Sequence, residues 1–319
     1  MPLIPYLRLL LLAALAIAAG TRLSLAQNCS FTVSNVSFGV VDTLAGGQVN
    51  TTATVNATCT GLTLSRILIC PNLGAGSGGA TPAARLMVSG GSVLAYQLYS
   101  DAARSTVWGS YLWAYAARPP SLSLTLGVLG GGSANYTLYA AMPGGQTTVA
   151  AGTHLSSFAG ADVEFRYRYS LGNDCSVLSG SVERPGFNIS ATVASNCLVS
   201  TQDVDFGTQG VLGTNVDATG RVSVTCTPGN SYSVGLDGGA SGGPPTARLM
   251  TKGAETVTYG LYQDAARSLP WGSGSVPGEA VAGTGTGTSQ DITVYGRVPP
   301  QATPSPGTYA DTVVVTVTY

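Results

Sequence analysis

The chain is 319 residues long, carries 14 basic and 15 acidic side chains for a net charge of −1, and is 9% charged where ordinary globular chains carry about 25%. Lys252 is the sole lysine, so no basic field exists to attract nucleic acid or an anionic membrane surface, and both are excluded as partners.

Residues 1–26 combine Arg8, an apolar run over residues 9–19 and Ser24-Leu25-Ala26, with small residues at the last and third-last positions. This is the pattern of a secretory signal peptide. The run falls short of the roughly 20 apolar residues of a membrane span. Export leaves about 290 residues, enough for two domains of roughly 145 each. Beyond residue 26, residues 51–58, 163–169, 221–227 and 313–319 alternate apolar and polar side chains at period two between Gly, Pro and Asn clusters. No window carries a capped helical stripe. The expected fold is all-β, as two sandwich domains.

The two halves repeat each other. Arg85-Leu86-Met87, Tyr96, Leu98-Tyr99, Asp101-Ala102-Ala103-Arg104 and Trp108-Gly109-Ser110 return 163 residues later as Arg248-Leu249-Met250, Tyr259, Leu261-Tyr262, Asp264-Ala265-Ala266-Arg267 and Trp271-Gly272-Ser273. Upstream, Cys29, Phe38-Gly39 and Cys59 answer Cys197, Phe206-Gly207 and Cys226. One module therefore occurs twice, with insertions and deletions confined to the connections. Six cysteines in an exported chain read as three disulfides with 15 formal pairings. The repeat makes Cys29–Cys59 and Cys197–Cys226 the economical equivalent pairs and leaves Cys70 with Cys175, both in the first half. No CxxC occurs and His154 is the only histidine, so no metal site and no cofactor are expected.

Chemistry-bearing constellations are absent: no Ser-His-Asp, Cys-His or paired-carboxylate arrangement stands out. His154 aligns with Tyr309 and reads as a strand-entry residue. The Asp101-Arg104 and Asp264-Arg267 pairs recur in both copies and read as a fold-stabilising turn or ion pair. The Gly130-Gly131-Gly132 run lacks the strand-to-helix context of a phosphate cradle. Asn-x-Ser/Thr triplets at Asn28, Asn35, Asn50, Asn56, Asn135 and Asn188 would imply glycosylation in a eukaryotic chain and are accidents of a Thr- and Asn-rich composition in a bacterial one. The distinctive difference between the halves is Tyr111, Leu112, Trp113 and Tyr115, where the second half has Gly274, Ser275, Val276, Pro277 and Gly278. Such a cluster reads either as an exposed binding loop or, because Trp113 and Tyr115 alternate, as ordinary strand core. Residues 73–82 and 142–158 are expected at the same end as this cluster.

Taken together, the Cys-(28 or 29 residues)-Cys spacing, the Phe-Gly turn, Arg-Leu-Met, Tyr-x-Leu-Tyr, Asp-Ala-Ala-Arg, Trp-Gly and the closing residues 307–319 resemble the spore coat protein U domain family, largely secreted subunits of archaic chaperone-usher pili. The resemblance implies immunoglobulin-like sandwiches that lack their last strand and receive it from a neighbour's N-terminal extension. It implies as partners a periplasmic pilus chaperone, an outer-membrane usher, the next pilus subunit and a surface or host ligand, and it implies no catalysis. On this scheme Val313, Val315, Val317 and Tyr319 line an uncovered groove of the second domain, able to take a donor strand. Only Gln27 and Asn28 separate the predicted cleavage site from Cys29, so no N-terminal donor is expected. The alternating Phe187, Ile189, Ala191 and Val193 then complete the first domain within the same chain. The expected organisation is a signal peptide (1–26), an N-terminal adhesive domain (27–175), an interdomain linker or donor-like strand (176–196) and a C-terminal pilin-like domain (197–319). The functional expectation is a cell-surface tip adhesin that drives attachment and biofilm formation through Tyr111, Leu112, Trp113 and Tyr115, as Csu-type tip subunits do with apolar finger loops. The alternatives are a structural pilus or coat subunit without binding activity and a secreted enzyme on a sandwich scaffold.

Overall fold

Period-two alternation and abundant Val and Thr produce strands along the whole chain. The computed structural model describes residues 26–276 and 278–319; the predicted signal peptide, except for Ala26, lies outside them. Within these residues the first half contains β1 (Asn28–Val33), β2 (Val36–Val41), β3 (Val49–Thr60), β4 (Arg66–Leu73), β5 (Arg85–Ser89), β6 (Ser92–Tyr99), β7 (Leu122–Thr125), β8 (Gly131–Met142), β9 (Gly152–Phe158), β10 (Val163–Tyr169), β11 (Ser181–Glu183) and β12 (Phe187–Val193). The second half contains β13 (Cys197–Gln202), β14 (Val216–Cys226), β15 (Ser231–Leu236), β16 (Arg248–Lys252), β17 (Glu255–Tyr262), β18 (Val281–Thr284), β19 (Gln290–Val298) and β20 (Val315–Thr318).

In the first domain a sheet ordered β1-β3-β8-β6-β5-β9-β12-β2 packs on a smaller one ordered β11-β10-β4-β7. In the second, β13-β14-β19-β17-β16 packs on β18-β15-β20. Each domain has its own core: Val36, Val55, Ile67, Leu138, Phe165 and Ile189 belong to one, Val224, Val234, Trp271 and Val294 to the other. Disulfides join Cys29 to Cys59 and Cys197 to Cys226 between the first two paired strands of each domain, and Cys70 to Cys175 in the first domain alone.

The repeated motifs build the frame. The Arg85 guanidinium, fully buried without a carboxylate, donates to the carbonyls of Gly74 (2.7 Å), Leu73 (2.8 Å) and Trp108 (2.7 Å) and to the Gln97 side chain. Arg248 does the same for Asp237, Leu236, Trp271 and Pro245. Desolvation lowers the Arg85 pKa to about 10, which leaves it charged at neutral pH. Asp101 and Asp264 each accept backbone N–H groups four and five residues on, across a turn whose arginine, Arg104 or Arg267, sits in the left-handed region. A device without a sequence flag also repeats. The side chains of Gln146 and Gln301 each pair with both backbone groups of one strand residue, Ala95 and Thr258, and so stand in for a length of strand.

β12 is held on both sides. It runs antiparallel to β9, from Phe187 opposite Phe158 to Val193 opposite Gly152, and parallel to β2, from Ile189 opposite Val36 to Val193 opposite Val41. Phe187, Ile189, Ala191 and Val193 all face inward and are at most 4% exposed, with Phe187 stacked on Phe158 at 4.7 Å. Just upstream, β11 pairs with β10. Within residues 176–196, β11 and β12 pair into the sheets of the first domain, and residues 194–196 connect β12 to β13. At that joint Asn196 donates to Asp42 of the first domain (2.8 Å), and its backbone carbonyl accepts the Thr227 amide of the second (2.9 Å).

Candidate functional site

The slot that β12 fills in the first domain is open in the second. Val204-Asp205-Phe206-Gly207 corresponds to Val36-Ser37-Phe38-Gly39, and residues 307–313 correspond to 152–158 of β9. Neither forms a strand: residues 307–313 make a single bridge, Ala310 to Thr251. Between them lies a cavity of about 420 Å³ lined by Val204, Phe206, Met250, Tyr259, Tyr309, Val313 and Val315, among others. The first-domain counterparts Val36, Phe38, Met87 and Phe158 are buried, whereas Val204, Phe206, Met250 and Val313 are half-buried. Across the slot's floor, the Tyr259 hydroxyl donates to Asp311 (2.6 Å); burial first, and this hydrogen bond second, push its pKa up.

The strand β20 extends the same surface. Its register against β15 makes Val315 and Val317 the counterparts of Val163 and Phe165, both fully buried, and places Tyr319 where Tyr167 is 3% exposed. Val315 and Val317 are half-buried and Tyr319 is 55% exposed. In the first domain Phe31 packs edge-on against Phe165 and Tyr167 at 5.3 and 5.7 Å; its counterpart Val199 is 47% exposed. Of the four predicted groove residues, Val313 and Val315 line the cavity, while Val317 and Tyr319 continue the row beyond it. No strand of the described chain covers this row, so the slot can take an extended segment whose backbone adds to the sheet and whose alternate side chains enter the core.

At the opposite extreme of the molecule a second surface stands out. β3 pairs with β8 along its full length, from Val49 opposite Met142 near the joint to Thr60 opposite Gly131, a span of about 36 Å at ~3.3 Å per residue. At the far end three loops meet: residues 61–65, 126–130 and 170–180. They expose Leu62 (44%), Leu64 (68%), Val128 (73%), Leu129 (95%) and Leu171 (95%). Gly61 N–H donates to Gly130 O (2.8 Å), Leu64 N–H to Gly127 O (3.3 Å) and Leu62 N–H to the Tyr169 hydroxyl (2.7 Å), so the loops brace one another. Leu64 lies at φ +58°, in the left-handed region that bulky L side chains rarely adopt, with its side chain 68% exposed. The matching loops of the second domain, residues 227–230 and 285–289, read Thr-Pro-Gly-Asn and Gly-Thr-Gly-Thr-Ser, with no large apolar side chain.

The segment 111–115 is neither core strand nor free finger. It forms a series of bends with Leu112 exposed at 42% and the three aromatics half-buried. Trp113 lies under the Arg85 guanidinium at 4.6 Å, its ring N–H bonds to Ala117 O, and it meets Tyr115 edge-on at 5.3 Å. The Tyr115 hydroxyl donates to Ala80 O (2.7 Å), and Tyr111 packs on Leu68, Cys70 and Cys175 over the outer face of β4. These partners draw the rings partly inward, so the segment is an irregular loop whose aromatics are half-buried and whose Leu112 is exposed, between the binding-loop and strand-core readings. Residues 73–82 lie beside this segment, as expected, at the Leu73 end of β4 and away from the far-end loops at Arg66; of residues 142–158, residues 152–158 are β9 itself. His154 is fully buried, its ring bonded to Gly152 O and Ser92 Oγ. Among the described residues no group of three or more His, Cys, Asp or Glu side chains could hold a metal ion.

The sequence matches the model of the Spore Coat Protein U domain family over residues 13–159 and 185–316. It is 32% identical to Protein U of Myxococcus xanthus over 149 residues, covering 41% of this chain and 82% of that protein. Its fold is similar to a chain of the CsuC-CsuE chaperone-tip adhesion subunit pre-assembly complex from the archaic chaperone-usher Csu pili of Acinetobacter baumannii, with a TM-score of 0.52 at 18% identity, covering 92% of this chain and 100% of that one. A match to the CupB6 tip adhesin of Pseudomonas aeruginosa has a TM-score of 0.33 at 12% identity over 92% of this chain and 96% of that one. With two matched regions that together span most of its length, the chain belongs to the Spore Coat Protein U domain family.

Proposed function

We propose that this chain is the adhesive tip subunit of a chaperone-usher pilus. It is exported to the periplasm, held there by a pilus chaperone, passed through an outer-membrane usher and joined to the next subunit by a strand inserted into the second domain. One observation carries this reading: the same slot is filled by β12 in the first domain and open in the second, with the apolar loops at the end farthest from the opening. A subunit of this polarity accepts a neighbour at one end and meets the outside at the other. Leu62, Leu64, Val128, Leu129 and Leu171 form the contact surface, and its chemistry fits an apolar target: exposed aliphatic side chains on braced turns, with little charge to hold water. Each such side chain contributes on the order of 1 to 2 kcal/mol when buried, and many pili multiply the effect. In this reading Tyr111 buttresses the surface from the flank through Leu68, Cys70 and Cys175, while Leu112, Trp113 and Tyr115 lie toward the Leu73 end of β4, away from the contact.

The test is to replace Leu64, Leu129 and Leu171 together by Ser. The expected result is normal piliation with loss of attachment to polystyrene and of biofilm. Unimpaired attachment would return the chain to the role of a structural subunit without its own binding activity.

A further inference from the structure

We propose that the third far-end loop, residues 170–180, is held in its binding shape by a dedicated clamp on the outer face of the β11-β10-β4-β7 sheet, with Arg66, Arg168 and the Cys70–Cys175 bridge as positioning residues for surface binding. The inference rests on the reading of the far end as the contact surface. The loop contains no strand, yet its backbone carbonyls are tied down along most of its length. Arg66 donates to Ser170 O (2.9 Å), Gly172 O (2.8 Å) and the Asn173 side chain. Arg168 donates to Val177 O (3.1 Å) and to Asp174 O. Arg166 donates to Leu178 O (2.8 Å) while Glu164, almost wholly buried, fixes its other edge at 2.7 Å.

Between the arginines the bridge makes a separate small core. Leu68 and Cys70 point away from the domain interior, where a strand normally faces water, and are covered by Cys175 and Tyr111. None of these residues belongs to the main core of the first domain, which closes without them. The clamp therefore orders a loop that the fold does not need ordered. What it holds up is Leu171, 95% exposed, with Val177 and Leu178 at its return. A slack loop would have to be ordered at the moment of contact, at the expense of affinity; fastening it beforehand removes that loss.

The experiment compares three variants of the full chain assembled on pili: Leu171→Ser, Arg66→Gln with Arg168→Gln, and Cys70→Ala with Cys175→Ala. Attachment to polystyrene is measured beside piliation and limited proteolysis of residues 170–180. The bridge spans 105 residues, so its removal also lowers the melting temperature, and attachment is read well below the new transition. The expected result is a loss of attachment of roughly tenfold or more in both clamp variants, since several loop residues must then be ordered on binding, with pili present and new cleavage inside the loop. Wild-type attachment in both clamp variants, with attachment lost in Leu171→Ser, overturns the clamp. Wild-type attachment in Leu171→Ser overturns instead the reading of the far end on which the clamp rests. If the cysteine variant fails to reach the surface, the arginine variant, which keeps the bridge, decides by the same criterion.

Discussion

The two domains use one strand framework and differ in who completes it. In the first, β11 and β12 close the interior, and Val36, Met87, Phe158 and Phe165 are buried. In the second, nothing in the described chain takes that place, the flanking segments lose their strand pairing, and the matching side chains stand half-exposed around a cavity. Strand formation at residues 203–207 and 307–313 is thus a tertiary event: the same kind of sequence is a strand beside a partner and a loop without one. Completeness and openness follow from one seven-residue segment.

The largest effect that sharpens this contrast is expected at Ile189, fully buried in β12. Ile189→Ala should destabilise the first domain by about 2 to 5 kcal/mol and leave the second domain's transition in place. Thermal unfolding of the chaperone-bound protein, followed by tryptophan fluorescence, checks this. A simultaneous collapse of both domains would mean that they do not have independent cores. Next, a synthetic peptide copying residues 181–193 should stabilise the second domain selectively, by about 2.7 kcal/mol when present at 100 times its dissociation constant. Calorimetry that showed no shift, or an equal shift of both domains, would break the comparison of the slots.

A smaller effect is expected at Leu64. Leu64→Gly relieves the left-handed backbone and should raise the first domain's stability by about 1 kcal/mol while lowering attachment, a separation of stability from binding that a merely structural leucine would not give. The smallest effect concerns acid. Asp217, Glu255, Asp264 and Asp291 of the second domain all have pKa values below their ordinary range, held first by hydrogen bonds from Arg297, Ser305, the Leu269 amide and Ser223 respectively; Glu255 falls to about 2. Carboxylates depressed in the folded state contribute stability above their unfolded values, near 4, and lose it as pH falls through the folded values. The first domain has two such groups, Asp101 and Asp174. Between pH 4 and pH 2 the second domain should therefore weaken more than the first, by a modest amount because these carboxylates are solvent-exposed. Domain-resolved hydrogen exchange across that range measures it.

Much of the frame was legible in the sequence because it is written twice. The cysteine spacing, the Arg-Leu-Met and Trp-Gly motifs and the Asp-Ala-Ala-Arg turn each perform a local task that the repeat exposes, and the period of Phe187, Ile189, Ala191 and Val193 is that of a strand with one buried face. The proposed contact surface, the exposed far-end loops, was not legible. Its leucines sit in short glycine-rich turns, Gly61-Leu62-Thr63-Leu64 and Gly127-Val128-Leu129-Gly130, that carry no periodicity, and their exposure is settled by bracing between loops distant in the chain. The signal that could have found them was the loop-by-loop difference between copies, Gly-Leu-Thr-Leu-Ser against Thr-Pro-Gly-Asn. The half-burial of the aromatic segment was left open for a related reason: the partners that turn Trp113 and Tyr115 inward, Arg85 and the Ala80 carbonyl, lie about 30 residues upstream.

The placement of β12 has a mechanical consequence. In the proposed tip subunit, tension between fibre and surface would leave the second domain through residues 194–196 and enter the first at Val193, along the axis of a strand with a hydrogen-bonded neighbour on each side. To pull it out, both ladders must slide at once and four interior side chains must follow, a shearing geometry in which the bonds fail together and not one after another. The segment that makes the first domain self-sufficient is also the one by which the whole molecule would be hauled.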